Sequence, residues 1–168
     1  AFGIWARGRV KSRQGAQLLT VCLGILIFID DYFNSLAVGS ISRPLTDRHR
    51  ISRAKLAYLI DSTAAPVCVI APVSSWGAYI IGLIGPIMAA HEVYDISAIQ
   101  AFLKMIPMNL YAIFTLAMVL ATAWLDLNVG PMRIHEQRAQ TGVLYDHSKG
   151  TPAGSSQLGD NKNGRVSD

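Results

Sequence analysis

The sequence predicts an all-α integral membrane protein: a re-entrant helical hairpin, a broken transmembrane helix and a straight transmembrane helix, followed by a disordered polar tail. Three observations lead there. Of 168 residues, 51% are hydrophobic and only 15% charged, where an ordinary soluble domain has roughly a quarter charged. The charges are also segregated. Asp30 and Asp31 are the only ionisable acids or bases between Gln14 and Ser42, Asp61 is the only one between Leu56 and Ala90, and Met105 to Leu125 has none. Finally, the basic residues gather at the flanks of the apolar runs. Helices that lack residues for a polar face cannot sit on the surface of a soluble protein. This excludes a soluble enzyme, a collagenous chain and a fully disordered one. The surplus of 15 Lys+Arg over 11 Asp+Glu anchors membrane segments and is no nucleic-acid patch.

Residues 1–17 read as the end of a preceding span and a basic flank. Arg7, Arg9, Lys11 and Arg13 follow an apolar start, the reverse of a signal peptide, so a piece of a longer protein is expected. The transport region is expected over 18–130, with a hairpin at 18–41, a broken helix at 54–90 and a helix at 98–127. Leu18 to Ile29 is too short to cross a bilayer, and the polar group from Asp30 to Ser35 follows it. A single helix from Leu18 to Ile41 competes with a hairpin. Four basic residues precede this run, and Arg43, Arg48, Arg50, Arg53 and Lys55 follow it. The positive-inside rule puts both flanks in the cytoplasm, which a hairpin satisfies and one crossing does not.

Leu56 to Ala90 is longer than one span needs and is interrupted twice, around Asp61–Pro66 and at Pro72 with Ser74 and Ser75. Pro66 removes a donor and disfavours helix at Ala65, so unwinding is expected there. Met105 to Leu125 has the length of a bilayer core, with Pro107 and Asn109 predicting a kink or unusual first turn. Residues 131–168 read as a disordered polar cytoplasmic loop. Cys22 and Cys68 lie inside apolar runs and read as small buried hydrophobes. The four histidines fall outside the spans with no metal-ligand spacing.

Asp30 and Asp31 carry the chemistry. A carboxylate in mid-membrane costs roughly 2.5–3.5 kcal/mol even on the lenient insertion scale, and burial beside a like charge pushes such a group toward its neutral form. It then holds a proton or a sodium ion, but not both. Asp61, Ser62 and Thr63, beside the break at Pro66, supply hard oxygen ligands of the kind small cations accept; the competing reading is a helix N-cap. Pro72, Ser74, Ser75 and Asn109 are expected to support the breaks or line a cavity. Arg43, Asp47 and Arg48 are expected in a solvated basic loop.

These motifs also resemble a known family. FIDDYFNSLAVGSISRPLTDR (28–48), ISRAKLAYLIDSTAAPVCVIAPVSSWGAY (51–79), NLYAI (109–113) and the GPM and EQRA of 130–139 are similar to NhaC-type sodium/proton antiporters. The resemblance implies a multi-pass carrier of the bacterial inner membrane, about three times this length, with two related halves of opposite orientation. By that resemblance Asp30, Asp31, Asn34, Asp61, Ser62 and Thr63 become the ion-site candidates. Expected partners are the lipid bilayer, sodium and protons, the second half of the same transporter and a homodimer mate; no nucleic acid or cofactor is expected. Alternatives are a sodium- or proton-coupled exchanger of small organic acids or amino acids, using Arg43 or Arg48, an intramembrane diaspartyl hydrolase and a plain membrane anchor. The hydrolase lacks a Gly-x-Gly-Asp in any apolar span.

Overall fold

The computed structural model describes residues 10–146 with Ser148 and Gly150. Among these the fold is helical without strands: α1 (Arg13–Leu26), α2 (Asp31–Arg48), α3 (Arg53–Ile70), α4 (Ser75–Ala90), α5 (Ala98–Met105), a 3-10 turn (Ile106–Met108), α6 (Leu110–Leu125) and α7 (Pro131–Gln140). Most starts are local chemistry. Ser12, Asp30, Ser52, Ser74, Ser97 and Asn109 each offer a side-chain oxygen to the N–H three residues on, satisfying a donor that the first turn cannot.

Helices α1 and α2 fold back on each other. Ala16 near the start of α1 shares a buried cluster with Leu45 near the end of α2, and with Ile51. Neither arm is both long and apolar enough to cross a bilayer alone: α1 has 14 residues, about 21 Å at 1.5 Å per residue, and α2, with 18, carries Asp31, Arg43, Asp47 and Arg48. Helix α3 is central and packs against α1, α2, α4, α6 and α7. The main core joins Val21, Leu59, Val119 and Ala123 from α1, α3 and α6, with Leu18 and Tyr58 against it. By length and composition, Arg53–Ala90, with 38 residues, is long and apolar enough to cross a membrane, its most apolar 18-residue window having a mean hydropathy of 1.9. Much of α4 and α6 faces outward: Tyr79, Leu83, Ile87, Tyr111, Phe114, Met118 and Trp124 are all exposed, an outward apolar surface of the kind that interaction or membrane faces present.

Several expectations need correction. The chain does not unwind at Pro66. Helix α3 runs through it, with Pro66 buried like Ala64, Val67 and Cys68 of the same helix, and the helix breaks instead at Ala71–Ser74. Ala71, forced extended ahead of Pro72 (φ −84°, ψ 119°), cannot continue a helix. The helix expected over 98–127 is not straight: the kink expected at Pro107 and Asn109 is a 53° bend, where Pro107 tightens the chain into a 3-10 turn and Asn109 restarts it as the cap of α6. The tail expected disordered from residue 131 is helical over Pro131–Gln140, held by a buried Glu136 and by no apolar stripe. Residues 141–146 are ordered too, the Leu144 carbonyl accepting from Arg53 N at 3.0 Å. Most of the expected segment 1–17, namely 1–9, and the tail 151–168 lie outside the described residues. Arg43, Asp47 and Arg48 stand on α2, not in a loop. Cys22 is exposed on α1 while Cys68 is buried, and both are free thiols.

The turn into α4 depends on Gly77. A Cβ there would sit 2.1 Å from the Ala71 carbonyl oxygen and 3.0 Å from Pro72 Cα, both backbone atoms that no rotamer change can move. Gly77→Ala should therefore destabilise the protein by about 1–3 kcal/mol. Thermal unfolding in detergent, with Gly82→Ala in the open middle of the same helix as the control, reads this directly.

Candidate ion-binding site

Breaking a helix strands backbone groups, and this chain breaks helices twice. At the first break, α1 ends at Leu26 and Asp30 starts α2, its Oδ1 accepting from Phe33 N at 3.0 Å. The amide of Asn34, fully buried, spans the gap: Nδ2 donates to the carbonyls of Gly24 and Ile27, both at 2.6 Å. This places the two lone carbonyls at the end of α1 on one side chain from α2. The other amide atom, Asn34 Oδ1, is buried with no hydrogen-bond donor. At the second break, the single proton of Ser74 Oγ is shared between Cys68 O and Ala71 O (2.8 Å), Ala71 O also accepts from Ser74 N at 3.2 Å, and Ser74 Oγ accepts from Gly77 N at 2.8 Å.

The two breaks meet. Ser75 N donates to Ile29 O at 2.8 Å and Ser75 Oγ donates to Asp30 Oδ2 at 3.1 Å. Cys68 Sγ donates to Phe28 O at 3.2 Å. Lower down, α1 lies directly on α3: a Cβ on Gly24 would fall 2.2 Å from Thr63 Oγ1, so only glycine permits the approach. Asp30, Asn34, Thr63, Ser74 and Ser75 are thus gathered where the hairpin tip rests on the broken helix. Asp31 and Asp30 line an open cavity of about 480 Å³ with Tyr32, Ser75, Trp76 and Tyr79. Ser62 is buried beside Thr63 on α3.

Asp61 is not in this group. Two residues from Thr63 on a helix is about 200° of rotation, and Asp61 faces the α2 side, exposed in a groove with Arg43 and Arg53. Asn109 caps α6, accepting from Ala112 N at 3.2 Å, and lines a separate apolar cavity of about 290 Å³ with Val69, Ile80 and Phe102. Pro66 and Pro72 bracket the end of α3, the first inside the helix and the second within the break. No group of three His, Cys, Asp or Glu residues able to hold a metal is present among the described residues.

A second polar assembly is not evident from the sequence. At the far end of the bundle, Lys55, fully buried on α3, donates to Asp126 Oδ1 at 2.8 Å, Leu127 O at 3.1 Å and Asn128 Oδ1 at 2.8 Å. Asp126 also accepts from Gln17 Nε2 at 2.7 Å and Arg13 Nε at 3.1 Å. Arg13 Nη2 pairs with Glu136 Oε2, and Glu136 Oε1 accepts from Ser52 N at 2.7 Å. Two cations and two anions balance. Burial pushes the Asp126 carboxyl up, but the Lys55 and Gln17 hydrogen bonds and the Lys55 and Arg13 charges outweigh it and leave the group below its ordinary value. Nearby, burial pushes the Asp47 carboxyl up against the pull of Arg53 and Arg43, although Arg53 Nη2 reaches Asp47 Oδ2 at 2.8 Å. The available signal was only that Lys55 and Asp126 bound apolar runs, as interfacial charges commonly do.

Residues 67–158 match the Na+/H+ antiporter family. The chain is also 54% identical, over 139 residues, to an uncharacterized protein of Haemophilus influenzae; the match covers 83% of this chain and 27% of that protein. The chain therefore spans about a quarter of the length of the curated relative it matches. No solved structure matches it.

The Asp126 cluster sets two expectations. Asp126→Ala strands a buried ammonium and should cost about 3–5 kcal/mol, while Lys55→Met with Asp126→Leu should cost less than either single change. Because the Asp126 pKa is lowered on folding, its contribution is full above the unfolded value near 3.9 and is lost as pH falls through the folded one. Unfolding midpoints followed from pH 7 down to pH 3 should fall more steeply for the wild type than for that double variant.

Proposed function

This chain belongs to the Na+/H+ antiporter family, and from that premise we propose that it forms part of an NhaC-type sodium/proton antiporter of the bacterial inner membrane. The family is one of transporters, not enzymes, so the hydrolase alternative lapses. The observation that carries the reading is the meeting of the two helix breaks, through Ser75 N with Ile29 O and Ser75 Oγ with Asp30. In carriers, interrupted helices facing each other build cation sites from carbonyls, hydroxyls and carboxylates. Non-helical backbone at membrane depth is tolerated only where protein or a watery cavity surrounds it.

In this reading the α1–α2 hairpin enters from the cytoplasm and turns at Asp30. Sodium is held by a carboxylate of Asp30 or Asp31, the Asn34 Oδ1 that lacks a donor and the Thr63 hydroxyl. Thr63 Oγ1 spends its proton on the Leu59 carbonyl at 2.9 Å, which leaves its lone pairs for a cation. A proton arriving on the carboxylate removes the charge that sodium needs, so the two ions exclude each other. The remainder of the carrier closes the open side of the cavity at Asp31, Trp76 and Tyr79, and the basic ends of α1, α2 and α3 stay at the cytoplasmic face.

The test is sodium-dependent proton movement in inverted vesicles containing the full-length protein. Asp31→Asn should reduce it at least tenfold with insertion unchanged. Asp30→Asn should do the same while keeping the cap on α2, since asparagine caps as well as aspartate. Asn34→Ala should raise the sodium concentration needed for half-maximal rate. Undiminished exchange in both aspartate variants would overturn the assignment.

A further inference from the structure

Where the hairpin tip meets the start of α4, an open cavity of about 480 Å³ is lined by Asp30, Asp31, Tyr32, Ser75, Trp76 and Tyr79. Two helix starts build its walls. Asp30 caps α2, and Asp31 and Tyr32 open its first turn; Ser74 caps α4, and Ser75 and Trp76 open that one. Trp76 and Tyr79, three residues apart, share a face of α4. Their rings meet edge to face, with centroids 6.3 Å apart and planes at 90°. Tyr32, Trp76 and Tyr79 are all exposed. The bond from Ser75 Oγ to Asp30 Oδ2 at 3.1 Å ties one wall to the other.

The lining selects first a sign of charge and then a class of solute. Asp30 and Asp31 bring two carboxylates, and neither wall carries a Lys or Arg: there is none between Gln14 and Ser42 or between Leu56 and Ala90. Asp30 is partly committed, to Phe33 N at 3.0 Å and to Ser75 Oγ. The Asp31 carboxylate makes no hydrogen bond or ion pair among the described residues. An anion is repelled here, and a neutral solute leaves the carboxylates without a counter-charge. A bare metal cation calls for a shell of oxygens, but three of the six lining residues are aromatic. No third His, Cys, Asp or Glu joins the pair among the described residues, and Asn34 and Thr63 do not line this cavity. An organic cation uses every wall, because ring faces attract a weakly hydrated ammonium and the carboxylates neutralise it. The volume lies within the roughly 300–1,000 Å³ of small-molecule pockets.

We propose that this cavity binds a small organic cation, an alkylated ammonium of the choline type. Trp76 and Tyr79 receive the alkylated head, Tyr32 borders it, and Asp31 supplies the counter-charge. A free solute and a choline lipid headgroup offer this same chemistry. The proposal rests on the reading of Asp30 and Asp31 as the cation site of a carrier. It adds a second class of cation, which competes with sodium for the same carboxylates.

The experiment is a calorimetric titration of the full-length protein, purified in a sugar detergent without sodium, with choline and tetramethylammonium. The tert-butyl analogue of choline, in which carbon replaces the charged nitrogen, is run alongside. Both cations should bind saturably, and the neutral analogue should need at least tenfold higher concentrations. Trp76→Leu keeps an apolar side chain but removes the ring, and should weaken choline binding about fivefold, with Trp76→Phe between it and the wild type. Trp76 is exposed, so neither change disturbs a core. Asp31→Asn should weaken binding at least tenfold. Vesicles of phosphatidylglycerol and of phosphatidylcholine distinguish the two sources: an equal choline response in both assigns a free solute, and its loss in phosphatidylcholine alone assigns the headgroup. The proposal is overturned if neither cation binds, if the neutral analogue binds as tightly, or if Trp76→Leu and Asp31→Asn bind choline as the wild type does. Sodium-dependent proton movement on the same preparation separates the two readings, and choline should raise the sodium concentration needed for half-maximal rate. Exchange without choline binding removes this proposal alone, and choline binding without exchange removes the antiport assignment alone.

Discussion

Backbone groups freed by a broken helix must find partners out of water, and here each break supplies partners to the other. The carbonyls of Gly24 and Ile27 are closed by Asn34. Those of Phe28 and Ile29 are closed from across the bundle by Cys68 Sγ and Ser75 N. Ser74 closes both Ala71, through its backbone N–H, and Cys68, through its hydroxyl, within its own break. An unmet carbonyl in such surroundings costs several kcal/mol, so the hairpin tip and the α3–α4 break are stable only in contact. Much else follows from that contact, including Gly24 against Thr63 and Gly77 against Ala71, where no side chain fits. The polar oxygens of the candidate site gather there for the same reason.

The opposite end of the bundle meets a different constraint with a different device. Lys55 is fully buried, and a buried ammonium is tolerable only when its protons and its charge are both met. Asp126, Asn128 and the Leu127 carbonyl meet all three protons. Asp126 and Glu136 are in turn held by Arg13, Gln17 and the Ser52 amide. The cluster ties α1, α3, α7 and the loop after α6 into one unit. It explains why a helix as polar as α7 packs against the bundle at all: a charge, and not an apolar stripe, is its anchor. Replacing such a cluster with well-packed apolar residues is often neutral or better for stability, so its worth lies in fixing which elements meet.

Much of the fold was legible residue by residue. The paired aspartates amid an apolar run marked the turn, Pro72 with Ser74 marked the second interruption, and Pro107 with Asn109 marked the bend. Pro66 misled because local rules treat every interior proline as a breaker. With Pro66 and its helix neighbours Ala64, Val67 and Cys68 buried, α3 gives up one hydrogen bond there and stays helical. The tail misled because composition reports apolar period and is blind to a helix held by a buried glutamate and one buried alanine, Glu136 and Ala139. Asp61 was grouped with Ser62 and Thr63 because they are adjacent, although a helix turns adjacent residues to different faces.

From the order of its residues alone, this chain determined its apolar runs, its interruptions and most of its caps, because those depend on groups within one helical turn of each other. Only the tertiary structure decided which interruptions touch and which charges pair. Asp30 and Ser75 are 45 residues apart, and Lys55 and Asp126 are 71 apart. Contacts at that separation are chosen by how whole helices pack and by the cost of leaving any buried charge or carbonyl unmet, and no local pattern records that choice.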